Sequence, residues 1–143
     1  MRIRWSRTAL IALVVVLAAA ALAAAKSATV GVGRASVNGH KESVAVSARG
    51  VTIYELGPET THHLVCKSQA CFATWPPVKA QGAVTKMAGV KGKVGTIRRG
   101  GFSQVTLNGK PVYTFVEDGG RRGEAEGDGI RNFGGVWHVF NES

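Results

Sequence analysis

With 143 residues and 15.0 kDa, the chain has room for one ordinary domain of about 100 to 150 residues, which excludes most multi-part enzymes. Hydrophobic residues make up 45% and charged residues 19%, a balance that excludes disorder along the whole chain. Lysine and arginine total 18 against 9 acidic residues, a formal net charge of +9.

At the start, Arg2, Arg4 and Arg7 precede an unbroken apolar run from Ala9 to Ala25 that closes on three alanines. A positive start, an apolar centre and small residues at the end are the pattern of an export signal. Residues 1–25 are therefore expected to be a signal peptide, cut between Ala25 and Lys26. The competing reading is an uncleaved anchor, for which the run is at the short limit of a spanning helix. Without residues 1–25 the chain loses three arginines and no acidic residue, so residues 26–143 stay basic.

Residues 26–42 are small and polar, with glycines at 31, 33 and 39, and read as a flexible lead. Gly31-Val32-Gly33 is no dinucleotide loop, because no third glycine follows in register and no helix pattern opens behind it. From Ser43 to Glu55 the valines at 44, 46 and 51 and Ile53 alternate with small or polar residues around Ala48-Arg49-Gly50, which predicts a hairpin. The same shape returns from Ser103 to Val116 around Asn108-Gly109, a strong turn signal because both turn positions need positive φ.

The two segments superimpose. Ser43 to Tyr54 and Ser103 to Tyr113 differ by one residue in the turn, and each continues through a loop to a tryptophan, Trp75 or Trp137. This is an internal duplication, with repeat one at 43–78, a linker at 79–102 and repeat two at 103–140. Within the linker, Lys93 to Ile97 can add a strand, and a helix is open around Val84 to Val90. Glu117 to Gly135 is glycine-rich loop, and Val136 to Phe140 closes the chain as a strand. The prediction is a single all-β domain over 43–143, in which two hairpin units of roughly six to eight short strands pack as a small sandwich or barrel behind the signal helix.

Export decides how Cys66 and Cys71 are read. In an oxidising compartment an intramolecular disulfide is the default, closing a short loop worth about 2 kcal/mol. The sharper alternative joins them to His62 and His63 as ligands of a transition metal. A lesser one gives calcium to the carboxylates at 117, 118, 124, 126 and 128, whose spacing does not match a helix-loop-helix calcium site. Tyr113 and Asp118 are read as a buried phenol with its carboxylate partner, or as a proton-orienting pair. Trp75-Pro76-Pro77 is expected to pack an indole into the core while the prolines set the exit direction. Serine catalysis lacks support, since Gly101-Phe-Ser103-Gln-Val has no second glycine.

The basic residues Lys67, Lys79, Lys86, Lys91, Lys93, Arg98 and Arg99 are spread among glycines and valines without interleaved aromatic stacking partners. A solvated basic face attracted to anionic lipids or wall polymers is expected, and nucleic-acid binding is not.

Taken together, Gly50 to Tyr54, Cys66 and Cys71 with Ala73 to Pro77, Gly95 to Arg98, Gln104 to Phe115, Asp118 and Gly134 to Trp137 resemble a secreted repeat of unknown function. That family occurs in bacterial lipoproteins and exported proteins and is marked by a Tyr-x4-Asp motif. Tyr113 and Asp118 match the motif strictly, whereas Tyr54 meets Glu59 at that spacing, and no lipid-bearing cysteine follows the signal. The resemblance implies an exported, β-rich repeat protein and supplies no mechanism. The function expected is therefore a non-enzymatic envelope-associated binding or structural module. The alternative is a redox or metal-handling protein using the Cys66 and Cys71 region, and a hydrolase is a weaker one.

Overall fold

A computed structural model describes residues 29–143; the expected signal peptide at 1–25 lies outside them. In chain order the elements are β1 (Val30–Val37), β2 (His40–Ser47), β3 (Tyr54–Leu56), α1 (Gln69–Thr74), β4 (Val94–Arg99), β5 (Phe102–Leu107), β6 (Lys110–Pro111), a 3-10 turn (Val116–Asp118), β7 (Arg131–Asn132) and β8 (Gly135–Val139). They form three small antiparallel sheets, β1-β2, β3-β8-β7 and β4-β5-β6. The fold is all-β, as expected, in the open layered form and not the closed barrel.

The two hairpin turns made by Asn-Gly pairs have the required backbone, with φ of 48° and 83° at Asn38-Gly39 and of 53° and 73° at Asn108-Gly109. The first of these overturns the flexible lead. Residues 30–42 belong to the β1-β2 hairpin, and Val30, Ala35 and Val37 are buried. Gly33 is there for close approach, since a Cβ on it would come within 2.8 Å of Val46. The strand expected at Lys93 to Ile97 forms as β4, and because it pairs along β5 the linker boundary moves: β4 belongs to the second repeat. No helix forms over 84–90, and the short α1 was not foreseen.

These two corrections reveal the true repeat. The rungs Arg34↔Ser43 and Arg98↔Ser103 are equivalent, so β1-β2 in the first half corresponds to β4-β5 in the second. Each repeat begins one strand earlier than the hairpin comparison shows.

The halves are also interlaced. At the centre Tyr54 and Tyr113 exchange backbone hydrogen bonds, N–H to carbonyl at 2.8 and 3.0 Å, which places both residues on a pseudo-two-fold axis. On one side of it Leu56 pairs with Trp137, and on the other Pro77 pairs with Tyr113. The tails cross as well. Ala45 N–H donates to Phe140 of the other repeat, and Val105 N–H donates to Val78. Neither repeat buries its strand edge alone, because the stretch after each tryptophan lies against the other repeat.

Candidate functional site

The interlacing decides where the two tyrosines place their hydroxyls. Tyr113 does not pair with Asp118 of its own repeat. Its Oη donates to Glu59 Oε1 at 2.6 Å, and Tyr54 Oη donates to Asp118 Oδ2, also at 2.6 Å. The expected partnership is thus corrected to a crossed one, because tyrosines that meet at a two-fold axis reach across it. Glu59, which departs from the strict motif, takes the same structural position as Asp118.

Each carboxyl group also holds a loop. Glu59 Oε2 accepts the N–H groups of Val65 and Cys66 at 2.7 Å each, and Asp118 Oδ1 accepts the N–H of Glu126 at 3.0 Å. All four side chains of the crossed pairs are fully buried. Between the pairs the indoles of Trp75 and Trp137 stack at 3.9 Å with 7° between planes, and Asn132 Oδ1 accepts both indole N–H groups, at 3.0 and 2.7 Å. Tyr54 meets Trp75 edge-on at 5.4 Å and Tyr113 meets Trp137 at 5.1 Å, so the aromatic cluster follows the same pseudo-symmetry.

The symmetry breaks at one point. Arg99 is 8% exposed and its Nη1 donates to Tyr113 Oη at 3.3 Å and to Gln104 Oε1 at 3.1 Å, while Nη2 donates to the carbonyl of Cys66. The equivalent rungs of the first repeat carry Ala35 and Val44. The Glu59 pair therefore has a cation beside it, and at the Asp118 pair Tyr54 Oη accepts only the N–H of Gly127, at 3.3 Å. Arg99, Gln104 and Asn132 were not found by sequence reasoning; Arg99 stood in the basic set as an ordinary surface charge.

Burial pushes both phenols above their ordinary pKa of 10.0, and the carboxyl acceptors push the same way. A tyrosine pKa raised on folding contributes stability that is complete below pH 10.0 and lost as pH rises past it. The chain has 2 tyrosines, so absorbance at the tyrosinate band reads these alone. Ionisation is expected to coincide with alkaline unfolding, and a phenol that titrates normally in the folded protein contradicts the crossed pairs. Burial also raises Asp118 above 3.8, against the opposing pull of Tyr54 and the Glu126 N–H. Its contribution to stability is complete below pH 3.8 and falls as pH rises through the elevated value. Denaturant titrations should show wild type losing ground to Asp118→Asn as pH rises from 3.8. A difference that is flat or of opposite slope rules this out.

Cys66 and Cys71 form a disulfide, with Cα atoms 5.8 Å apart, and both are buried. The bond ties the loop before α1 to the helix itself, whose first turn is capped by Ser68 Oγ accepting the N–H of Cys71 at 3.1 Å. The metal alternative is not assembled: the sulfurs bond each other, His62 and His63 are exposed, and no three His, Cys, Asp or Glu side chains converge as a metal site among the described residues. The carboxylates considered for calcium are separated in the same way, with Asp118 on Tyr54, Asp128 on Asn38 and the N–H of Val139, and Glu124 near Arg121. Replacing both cysteines by serine should cost about 2 kcal/mol, measured by urea unfolding, with the tryptophan stack retained; loss of the whole fold would show that the bond holds more than its loop. Trp75 is buried as expected, and Pro76 and Pro77 lay the exit strand along Thr114 and Tyr113.

Among the clefts on the surface are two of about 470 and 430 Å³, and neither is lined by the tyrosines or their carboxyl partners. The crossed pairs and the indole stack act as an internal tie between repeats.

Residues 96–141 match the model of a secreted repeat of unknown function. The matched stretch begins inside β4 and runs past the end of β8, so it covers the second repeat, and the first repeat is tied to it by the pseudo-symmetry of the tyrosines and indoles. A secreted repeat supports an extracytoplasmic location, and no helix among the described residues is long and apolar enough to cross a membrane. No curated protein and no solved structure matches the chain.

Proposed function

We propose that this is a non-enzymatic extracytoplasmic binding module that associates through its basic surface with the phosphate-bearing surface of the cell envelope. One observation carries the reading. The groups with chemical potential, namely two tyrosines, two carboxyls, two indoles and the disulfide, are buried in contacts with one another, with Arg99 or with backbone, whereas a set of unpaired cations faces outward. Among the described residues the ion pairs are Lys110 with Glu55, Arg121 with Glu124 and His138 with Asp128. Lys67, Lys79, Lys93, Arg98 and Arg131 are exposed outside them.

A surface of this kind attracts anionic headgroups and polymers with a reach of about 10 Å at moderate salt. The test is co-sedimentation with vesicles of phosphatidylglycerol and phosphatidylcholine, beside phosphatidylcholine alone, over a range of salt. Retention on the anionic vesicles that is released by salt supports the reading. Equal retention on neutral vesicles, or none on anionic ones, overturns it.

A further inference from the structure

The cleft of about 430 Å³ lies between the disulfide loop and the β4-β5 turn. Leu64, Lys67 and Phe72 form one wall, and Arg98, Gly101 and Phe102 form the other. Phe72 and Phe102 meet edge to face at 6.0 Å, so the floor is aromatic. Cations flank both rings: the Arg99 guanidinium lies 5.2 Å from the Phe72 centroid and Lys79 Nζ 5.0 Å from that of Phe102. No carboxylate lines the cleft.

An apolar aromatic floor takes a flat hydrocarbon body, and unpaired cations at its edge take an anionic group on that body. A simple inorganic anion would leave the phenylalanines uncovered, and a neutral sugar would leave the cations at the edge without a charged partner. The two walls are held from below by one set of contacts, since Arg99 donates to the Cys66 carbonyl and to Tyr113, and Glu59 accepts the N–H of Cys66. The site is thus built on the buried core, with Lys67 and Arg98 exposed at its edge and Arg98 Nη1 donating to Ser103 Oγ at 3.3 Å.

We infer that this cleft binds a small aromatic anion, a planar apolar body carrying a sulfonate, carboxylate or phosphate, with one of Phe72 and Phe102 against the face of its ring system, the other against its edge, and Lys67 and Arg98 at the charge. The inference rests on the reading of the chain as a binding module and names a ligand class for one site on it.

Anilinonaphthalene sulfonate is the probe, followed by fluorescence, and neutral N-phenylnaphthylamine is its uncharged counterpart. The sulfonate is expected to saturate at one equivalent and bind more tightly than the neutral compound. Lys67→Ala combined with Arg98→Ala, both exposed and outside the core, should weaken the sulfonate roughly tenfold and leave the neutral compound unchanged. A Cβ at Gly101 meets nothing within 4 Å, so Gly101→Trp should obstruct the cleft and abolish binding of both compounds. Sulfonate binding that survives Gly101→Trp, or equal affinity for the two compounds, overturns the inference. Gly101→Trp keeps every cation, so loss of sulfonate binding with vesicle retention intact separates the two readings. Absent vesicle retention in a wild-type protein that still binds the sulfonate at the cleft defeats the envelope reading alone.

Discussion

Double-mutant cycles on the tyrosines and their carboxyl partners are expected to return coupling between repeats and not within one. Tyr113→Phe with Glu59→Gln, and Tyr54→Phe with Asp118→Asn, should each show an interaction energy of about 0.5 to 3 kcal/mol, whereas Tyr113→Phe with Asp118→Asn should be near additive. The crossed hydrogen bonds at 2.6 Å are the reason. Within this set the largest single effect belongs to Glu59→Ala. That change leaves the Tyr113 hydroxyl and the N–H groups of Val65 and Cys66 without an acceptor, and leaves Arg99 buried beside them. Removing one partner from a buried, hydrogen-bonded charged cluster costs about 3 to 5 kcal/mol. Asp118→Ala should cost less, because its pair has no buried arginine left behind. Coupling between Tyr113 and Asp118 would show that the pairing runs within each repeat, and equal losses for the two alanine variants would show that Arg99 adds nothing at the Glu59 pair. Urea unfolding measured at neutral pH provides every number required.

Trp137→Ala is the second large effect, with an expected loss of about 3 to 5 kcal/mol. The indole is fully buried, stacks on Trp75 at 3.9 Å, meets the Tyr113 ring edge-on and donates to Asn132. It also sits in β8, opposite Leu56 of the other repeat, so the cavity opens at the joint between halves. Trp75→Ala should cost a similar amount, since its indole stacks on Phe115 at 4.4 Å as well as on Trp137. Indoles so close and so nearly parallel give an exciton couplet in circular dichroism, and the couplet should vanish in either variant. A couplet that persists in one of them, or a loss below about 1 kcal/mol, would show that the stack is not the joint.

Much of this arrangement was legible in the residues. Alternating valines and the Asn108-Gly109 pair located the second hairpin, and its comparison with Ser43 to Tyr54 exposed the duplication. The same turn signal was present at Asn38-Gly39, yet Gly31 and Gly33 made the preceding strand look like a lead. Gly33 permits the close approach of Val46, a cause that lies in a neighbouring strand and leaves no local pattern. The strand expected at Lys93 to Ile97 is present as β4, but its membership of the second repeat is decided by its pairing along β5 and not by its own residues. Arg99 looks like surface charge in the sequence, because nothing in its neighbours along the chain announces that Tyr113, Gln104 and the Cys66 carbonyl receive it.

The β-rich class, the duplication, the pairing of the two cysteines and the kind of partner each buried tyrosine requires are all written in the residues, since these follow from local periodicity and from the cost of burying an unbonded hydroxyl. Which carboxyl each tyrosine receives is set by the assembled fold alone. Tyr113 and Asp118 are neighbours along the chain, but the reciprocal hydrogen bonds between Tyr54 and Tyr113 put the symmetry axis between them and turn each hydroxyl toward the opposite repeat. Spacing along one repeat carries no information about that exchange, because it depends on how two copies meet.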